Sequence, residues 1–140
     1  KAEVLIQLDR QDEALPLINK IRQRAANSLE NLKTADGSYI LNYKCELYKP
    51  GVNCTWTKEF AWKAMEWENR LELACEGRRF FDLQRWGTLE KTMNAYFAVE
   101  RNRFDWMNIA RFTAGRDEFF PISQAQMKWA KGNYTQNPGY

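Results

Sequence analysis

The 140-residue sequence contains no histidine, only seven glycines and four prolines, and no long uninterrupted run of apolar residues. Without histidine the chain has no Ser-His-Asp or Cys-His catalytic group, no histidine-ligated zinc and no two-histidine iron site. No apolar run approaches the roughly 18 residues of a membrane-spanning helix, so none is predicted. The low glycine and proline content, with 44% hydrophobic residues, excludes collagen, low-complexity linkers and wholesale disorder.

The net charge of the chain is also small. There are 21 Lys and Arg against 18 Asp and Glu, a net charge of +3 at pH 7 with both signs interspersed. Residues 101–112 interleave basic and aromatic side chains, as single-strand nucleic-acid binders do, but Asp105 and the small net charge argue against a nucleic-acid partner. The function classes that remain are binding, a structural role and carboxylate chemistry.

The first 28 residues predict a helical hairpin. Residues 1–8 have an apolar helical face that reaches the first residue without a capping residue, so we expect a fragment of a longer chain. After a polar turn at 9–12, apolar side chains recur at steps of three and four through about Asn27, which indicates an amphipathic second helix. Two antiparallel helices around a short turn are the unit of helical-repeat proteins.

The helical periodicity stops at residues 29–56. Asp36-Gly37 and Pro50-Gly51 are turn signals in this segment. A non-helical segment of this length is unusual inside a compact helical domain, and such loops are commonly functional when they are ordered. This loop is therefore the expected location of binding residues.

Residues 57–98 predict further helices. Thr57 is placed to cap a helix that runs to about Glu76, and Gly77 is placed to end it. A second helical segment begins at Arg78, and a third covers residues 88–98. The aromatic residues at helical spacing are expected in the core: Phe60, Trp67, Phe80, Phe81 and Trp86.

The last part of the chain is less regular. Residues 99–118 show no assignable pattern, 119–122 form an extended apolar segment, and Ser123 is placed to cap a last short helix. The terminal residues have turn chemistry. The expected fold class is all-α, mainly helical, with long ordered loops.

Four stretches of the sequence resemble the motifs of one protein family. Residues 68–87 read ENRLELACEGRRFFDLQRWG, and residues 18–25 read INKIRQRA. FFPIS follows at 119–123 and QNPGY at 136–140. In this order, across nearly the whole chain, the motifs resemble the C-terminal part of the SusD/RagB family.

The resemblance implies a mainly helical fold with tetratricopeptide-type hairpins, of which this chain is the C-terminal part. It divides the chain into a helical hairpin at 1–28, a variable loop at 29–56, signature helices at 57–98, and a loop, apolar-Pro segment and tail at 99–140. It also implies a non-catalytic lipoprotein on the extracellular face of the outer membrane, anchored by an N-terminal lipid that this sequence does not contain.

The same resemblance implies the partners of the chain. They are an oligo- or polysaccharide and a SusC-like TonB-dependent transporter, with no cofactor, metal or nucleic acid. Two alternatives stay open: the ligand is a peptide rather than a glycan, or this segment is a scaffold that contacts the transporter while ligand binds elsewhere.

Charged side chains are concentrated in residues 68–87. Glu68, Glu72 and Glu76 repeat every four residues on one predicted helix face, where like charges repel unless cations lie nearby. The candidate partners are Arg70, Arg78, Arg79 and Arg85. Asp82 is spaced to pair with Arg78 and with Arg85. A glycosidase needs two carboxyl groups about 5–10 Å apart across a cleft, which one packed helix face does not offer. We therefore predict a structural ion-pair network joining the helices on either side of Gly77.

The candidate ligand-binding residues lie in the 29–56 loop. They are Tyr39, Asn42, Tyr43, Tyr48, Asn53 and Trp56. Aromatic faces pack on the C–H face of a pyranose, and Asn amides donate to and accept from hydroxyl groups. The equally weighted alternative is that these aromatic residues only pin the loop to the body. Trp106, with Asn102, Arg103 and Asn108, forms a second and weaker cluster of this type.

The chain has three cysteines. Cys45 and Cys54 flank the Pro50-Gly51 turn, and a disulfide between them would close a small loop in an oxidising compartment. Spacing alone does not establish the geometry, so the bridge is left open. Cys75 lies on the predicted buried stripe and is expected to be a free, inert thiol.

Overall fold

The computed structural model describes residues 1–39 and 44–140, with only the backbone of Glu30. Within these ranges it is mainly helical and contains isolated bridges but no strand. The predicted all-α fold class is therefore confirmed. The chain forms two compact units, Lys1–Ala74 and Cys75–Tyr140.

Helices make up most of the regular structure in both units. In the described ranges the α-helices are α1 Ala2–Gln7, α2 Gln11–Asn27, α3 Lys58–Glu72, α4 Arg79–Arg85, α5 Leu89–Glu100 and α6 Gln124–Trp129. Short 3-10 helices cover Ser28–Leu32 and Asp105–Met107. No helix in residues 1–39 or 44–140 combines the length and the apolar character that crossing a bilayer requires.

In the first unit, α1 and α2 form a helical hairpin and both pack against α3. The chain reverses between α1 and α2 at Asp9, which has a φ of 58°. The core consists of Leu5, Ile6, Ala14, Ile18, Ala61, Ala64 and Met65. Because three of these residues are alanines, the helix backbones can approach closely, and the few large side chains fill the space that remains.

Helix α3 begins as predicted but ends four residues early. The Thr57 hydroxyl accepts a hydrogen bond from the amide of Phe60 at 3.2 Å, which makes it the N-cap. The helix ends at Glu72 instead of Glu76. Cys75 has a φ of 66°, in the left-handed region, and a residue in that region cannot be part of a right-handed α-helix. Cys75 is also exposed, so its predicted burial is wrong.

The buried face of the signature helices also differs from the prediction. Trp67 is 46% exposed and Phe81 is 65% exposed, so both predictions of burial were wrong. Helix α3 buries Ala61, Ala64 and Met65 instead. The spacing of apolar residues predicts that a helix has an inner face, but on a helix with apolar residues on two adjacent stripes it does not say which stripe packs inward.

The second unit is built around a cluster of Leu83, Leu89 and Phe112, against which Phe80, Trp86, Met93 and Phe97 pack. Phe112 lies beyond the end of α5, after the short 3-10 helix at Asp105–Met107. The Asn94 side chain fixes its backbone, since its amide nitrogen donates to the Phe112 carbonyl at 3.0 Å and its oxygen accepts from the Phe112 amide at 2.9 Å. The Asn94 side chain thus pairs with both backbone polar groups of Phe112, as a neighbouring strand would in a β-sheet.

The motifs at 119–123 and 136–140 are joined by hydrogen bonds. The Gln136 side chain accepts from the Ile122 amide at 2.8 Å and donates to the Ile122 carbonyl at 2.9 Å. Asn137 and Tyr140 donate to the carbonyls of Phe120 and Phe119. The Ser123 hydroxyl caps α6, as predicted, by accepting from the Gln126 amide at 3.3 Å.

Candidate ligand-binding groove

Arg22 of α2 organises the segment that follows the undescribed residues. Its Nη1 donates to the Glu68 carboxylate on α3 at 2.6 Å, and its Nε donates to the Glu46 carbonyl at 2.5 Å. The guanidinium also lies 4.3 Å from the centre of the Tyr48 ring, which is a cation–π geometry. The side chains of Arg22 and Glu68 are only 18% and 13% exposed, so little solvent screens their attraction.

Asn19, one turn earlier on α2, fixes the backbone of Tyr48. Its side-chain nitrogen donates to the Tyr48 carbonyl at 2.9 Å, and its oxygen accepts from the Tyr48 amide at 2.8 Å. This is the same two-way clamp that Asn94 makes in the second unit. The extended chain of residues 44–48 is therefore attached to α2 by side chains from two successive turns.

The Tyr48 ring belongs to an aromatic cluster with Trp56 and Phe60. The ring centroids of Tyr48 lie 5.6 Å from those of both partners, and Trp56 lies 5.8 Å from Phe60. The Trp56 indole donates to the Gln11 carbonyl at 3.0 Å. These contacts attach the loop to the helices, and each of the three residues stays partly exposed. Burial raises the pKa of the Tyr48 hydroxyl above its ordinary value.

Asn53 closes the turn at Pro50-Gly51. Its oxygen accepts from the Lys49 amide at 2.7 Å, and its nitrogen donates to the Leu47 carbonyl at 2.9 Å. Gly51 has a φ of 76°, which a residue with a Cβ rarely adopts. The turn is therefore held by one side chain and one glycine.

Between these anchors lies an open groove of about 280 Å³, which we call the Tyr48 groove. Its lining residues are Arg22, Lys44, Glu46, Tyr48 and Asn53. Lys44 and Glu46 form an exposed ion pair at 2.9 Å on its rim. Both side chains are exposed, so they supply a donor and an acceptor on the rim of the groove.

The model of the SusD family matches residues 1–140, the whole chain. The chain belongs to the SusD family. A comparison with curated proteins found no match. Membership of the SusD family indicates nutrient binding at the cell surface, and the members of this family are generally non-catalytic.

Two SusD-type motifs meet in the first unit. Arg22 lies in the 18–25 motif, and its partner Glu68 begins the 68–87 motif. Arg24, two residues further along α2, pairs with Glu72, one turn further along α3, and this second pair is more exposed. Sequence reasoning missed both arginines, since no local spacing connects residues that are 46 and 48 positions apart.

In the second unit, Asp82 is buried and pairs with Arg85 at 2.9 Å. Arg79 and Arg85 both lie against the Trp86 ring, at 5.9 and 4.9 Å from its centre. Glu76 and Arg78 are exposed, and neither has an ion pair within the described ranges. A network that joins the helices on either side of Gly77 stays a prediction.

The structure brings together only part of the set of ligand-binding residues that the composition of the 29–56 loop predicted. Tyr48 and Asn53 line the groove, and Trp56 lies beside it in the aromatic cluster. Tyr39 is exposed, with its ring 5.1 Å from the Lys33 ammonium. Asn42 and Tyr43 lie outside the described residues.

The three cysteines are free thiols in the structure. The Cys45 thiol donates to the Arg22 carbonyl at 3.6 Å. The bridge between Cys45 and Cys54 that the spacing allows is therefore not formed here. In the described part of the chain, no group of three or more Cys, Asp or Glu side chains is placed to hold a metal ion.

Proposed function

We propose that this chain is part of a cell-surface protein that captures glycans without altering them and delivers them to a SusC-like TonB-dependent transporter. The protein would be a lipoprotein on the extracellular face of the outer membrane, anchored by an N-terminal lipid. Family membership supports surface nutrient binding. The observation that carries the proposal to this segment is the Tyr48 groove, whose floor is fixed and whose rim offers solvent-facing polar groups.

The groove has the chemistry that a sugar requires. Lys44 donates and Glu46 accepts, so together they can bind two neighbouring hydroxyl groups of one pyranose. The solvent-facing part of the Tyr48 ring can pack against the C–H face of the same sugar. Because Arg22 and Asn19 already hold Tyr48 in place, binding costs little additional ordering of the loop.

One shallow site of this kind binds weakly. A polymer presents many identical sugars, so neighbouring contacts raise its effective concentration at the surface and increase the overall affinity. The proposal therefore predicts measurable binding to polysaccharides and weak binding to single sugars.

A double variant of the rim tests the proposal. We expect Lys44→Ala with Glu46→Ala to weaken polysaccharide binding at least about tenfold, since two hydrogen-bonding side chains are lost. The measurement is affinity electrophoresis and calorimetry of the 140-residue chain against starch, xylan, mixed-linkage β-glucan and a casein digest. Both side chains are exposed, so the variant should unfold at the same denaturant concentration as the wild type.

Lys49→Ala is the matched control, because Lys49 is an exposed lysine in the same loop that does not line the groove. Equal binding of the rim variant and wild type would contradict the groove as the site. Binding of the casein digest alone would favour the peptide alternative.

A scaffold role is the second candidate function. It is favoured by the contacts of Tyr48 and Trp56. Their rings contact each other and Phe60 of α3, and the Trp56 indole donates to Gln11 of α2, so both side chains attach the loop to these helices. Under this role the chain contacts the transporter, and ligand binds elsewhere in the protein. If no carbohydrate or peptide of the panel binds the chain, while the intact protein binds one of them, the scaffold role is supported.

A further inference from the structure

A second surface in the chain has the features of a binding site and is not part of the Tyr48 groove. It is the segment of residues 101–111 in the second unit, which we call the 101–111 loop. Three large apolar side chains of this loop face solvent: Phe104 is 46%, Trp106 70% and Ile109 93% exposed. Apolar side chains grouped this closely on a surface indicate an interaction site.

The backbone that carries these exposed side chains is held by hydrogen bonds. The Phe104 amide donates to the Glu100 carbonyl at 2.9 Å, the Met107 amide to the Phe104 carbonyl at 2.9 Å, and the Ala110 amide to the Met107 carbonyl at 3.0 Å. Met107 itself is buried and anchors the loop from below. Successive turns therefore support the exposed rings from within the unit.

The two rings of the loop form one surface. The centroids of Phe104 and Trp106 lie 5.8 Å apart, with an angle of 36° between the ring planes. Each ring limits the movement of the other, so the surface is preorganised for a flat ligand. A pyranose ring presents such a flat apolar face through its axial C–H groups.

The charges on the loop favour an anionic ligand. Arg101, Arg103 and Arg111 are exposed. On the acidic side, Glu100 is 13% exposed and lies 3.6 Å from Arg103, so its charge is partly compensated, and Asp105 is the exposed carboxylate of the loop. Arg101 donates to the Phe97 carbonyl, and Arg111 has no partner in the part of the chain that the structure describes. Residues 100–111 therefore carry three arginines and two carboxylates, a net charge of +1.

We propose that the 101–111 loop binds acidic polysaccharides, with Trp106 and Phe104 packing on the sugar ring and arginine pairing with its carboxylate. A guanidinium binds a carboxylate through two parallel hydrogen bonds that are strengthened by opposite charges, and a neutral sugar offers no such charge. A protein partner fits less well, since stable interfaces bury about 800 Å² on each side, far more than three apolar side chains supply. This inference rests on the proposed carbohydrate-binding function but uses a different surface.

The test compares two polymers with the same backbone and different charge. Polygalacturonic acid carries a carboxylate on every sugar, and its fully methyl-esterified form carries none. We expect the 140-residue chain to bind the acid form at least tenfold more tightly, with an affinity that falls as salt is added. Trp106→Ala and the double variant Arg103→Gln with Arg111→Gln should each weaken binding of the acid form at least tenfold.

Trp129→Ala is the matched control, because Trp129 is a tryptophan of the same unit that is 78% exposed and lies outside the loop. It should bind polygalacturonic acid as the wild type does. Equal binding of the two polymers, unchanged binding by Trp106→Ala, or no binding of the acid form would each overturn the inference.

The same titration separates this loop from the groove. The Lys44 and Glu46 double variant should bind polygalacturonic acid normally if the 101–111 loop is the site. If that variant loses the acid form while Trp106→Ala retains it, the groove is the binding site and the inference about the loop fails.

Discussion

Arg22→Ala is expected to lower the free energy of unfolding of the first unit by about 3 kcal/mol, which is typical of breaking a largely buried ion pair from one side. The Glu68 carboxylate would keep its burial and lose its 2.6 Å partner. The Glu46 carbonyl would lose its donor, and Tyr48 would lose the guanidinium above its ring. The measurement is equilibrium unfolding in urea followed by circular dichroism.

The control for this variant is two residues away on the same helix. Arg24 also pairs with a glutamate of α3, but its side chain is 66% exposed and that of Glu72 is 33% exposed. Arg24→Ala should therefore cost less than about 1 kcal/mol, since exposed ion pairs contribute little. Equal losses of unfolding free energy in the two variants would mean that burial of the Arg22 pair does not increase its contribution to stability.

A local measurement distinguishes damage to the groove from a general loss of stability. The amide of Tyr48 is hydrogen-bonded to Asn19, and its carbonyl accepts from the same side chain. In Arg22→Ala this amide should exchange with solvent faster than the amides inside α2, because residues 44–48 have lost one of the two side chains that attach them to α2. Uniform acceleration across the first unit would instead indicate global unfolding.

Phe112→Ala is expected to destabilise the second unit by about 4 kcal/mol. Phe112 is one of the three buried residues at the centre of that unit, in contact with Leu83 and Leu89 and surrounded by further apolar side chains. Truncation to alanine removes most of the ring and leaves a cavity that the neighbouring helices cannot fill without moving. The measurement is the free energy of unfolding in urea.

Phe120→Ala is the control for the core variant, because Phe120 is 89% exposed. It should change the stability by no more than about 0.5 kcal/mol. Phe112→Leu, which keeps much of the volume, should cost about 1.5 kcal/mol or less. A loss in Phe112→Ala no larger than that in Phe120→Ala would show that this cluster is not the core of the unit.

Periodicity and capping chemistry predicted much of the fold. Thr57 and Ser123 were identified as helix caps from their side chains and their positions before apolar periodic segments, and both hydroxyls accept the predicted type of hydrogen bond. The errors at Trp67, Phe81 and Cys75 have one origin. A helical repeat gives the spacing of the inner residues, but the rotation of the helix and its last turn depend on what packs against it.

The candidate site was only partly predictable. Aromatic and amide side chains in a non-periodic segment identified Tyr48 and Asn53, which line the groove. The composition of the segment did not indicate that Asn53 would close a turn or that Trp56 would donate to a helix carbonyl. It also gave no signal for Lys44 and Glu46, because exposed charged residues occur throughout the chain.

By itself, the sequence determined the helical fold class, the positions of the helices, two of their caps and the family. These depend on local hydrogen bonds and on residue order, which neighbouring positions encode. Only the tertiary structure decided that Arg22 pairs with Glu68, that Asn19 holds Tyr48, and that Gln136 holds Ile122. Such partners are distant in sequence, and their pairing is fixed when the helices pack and bring particular side chains within hydrogen-bonding distance.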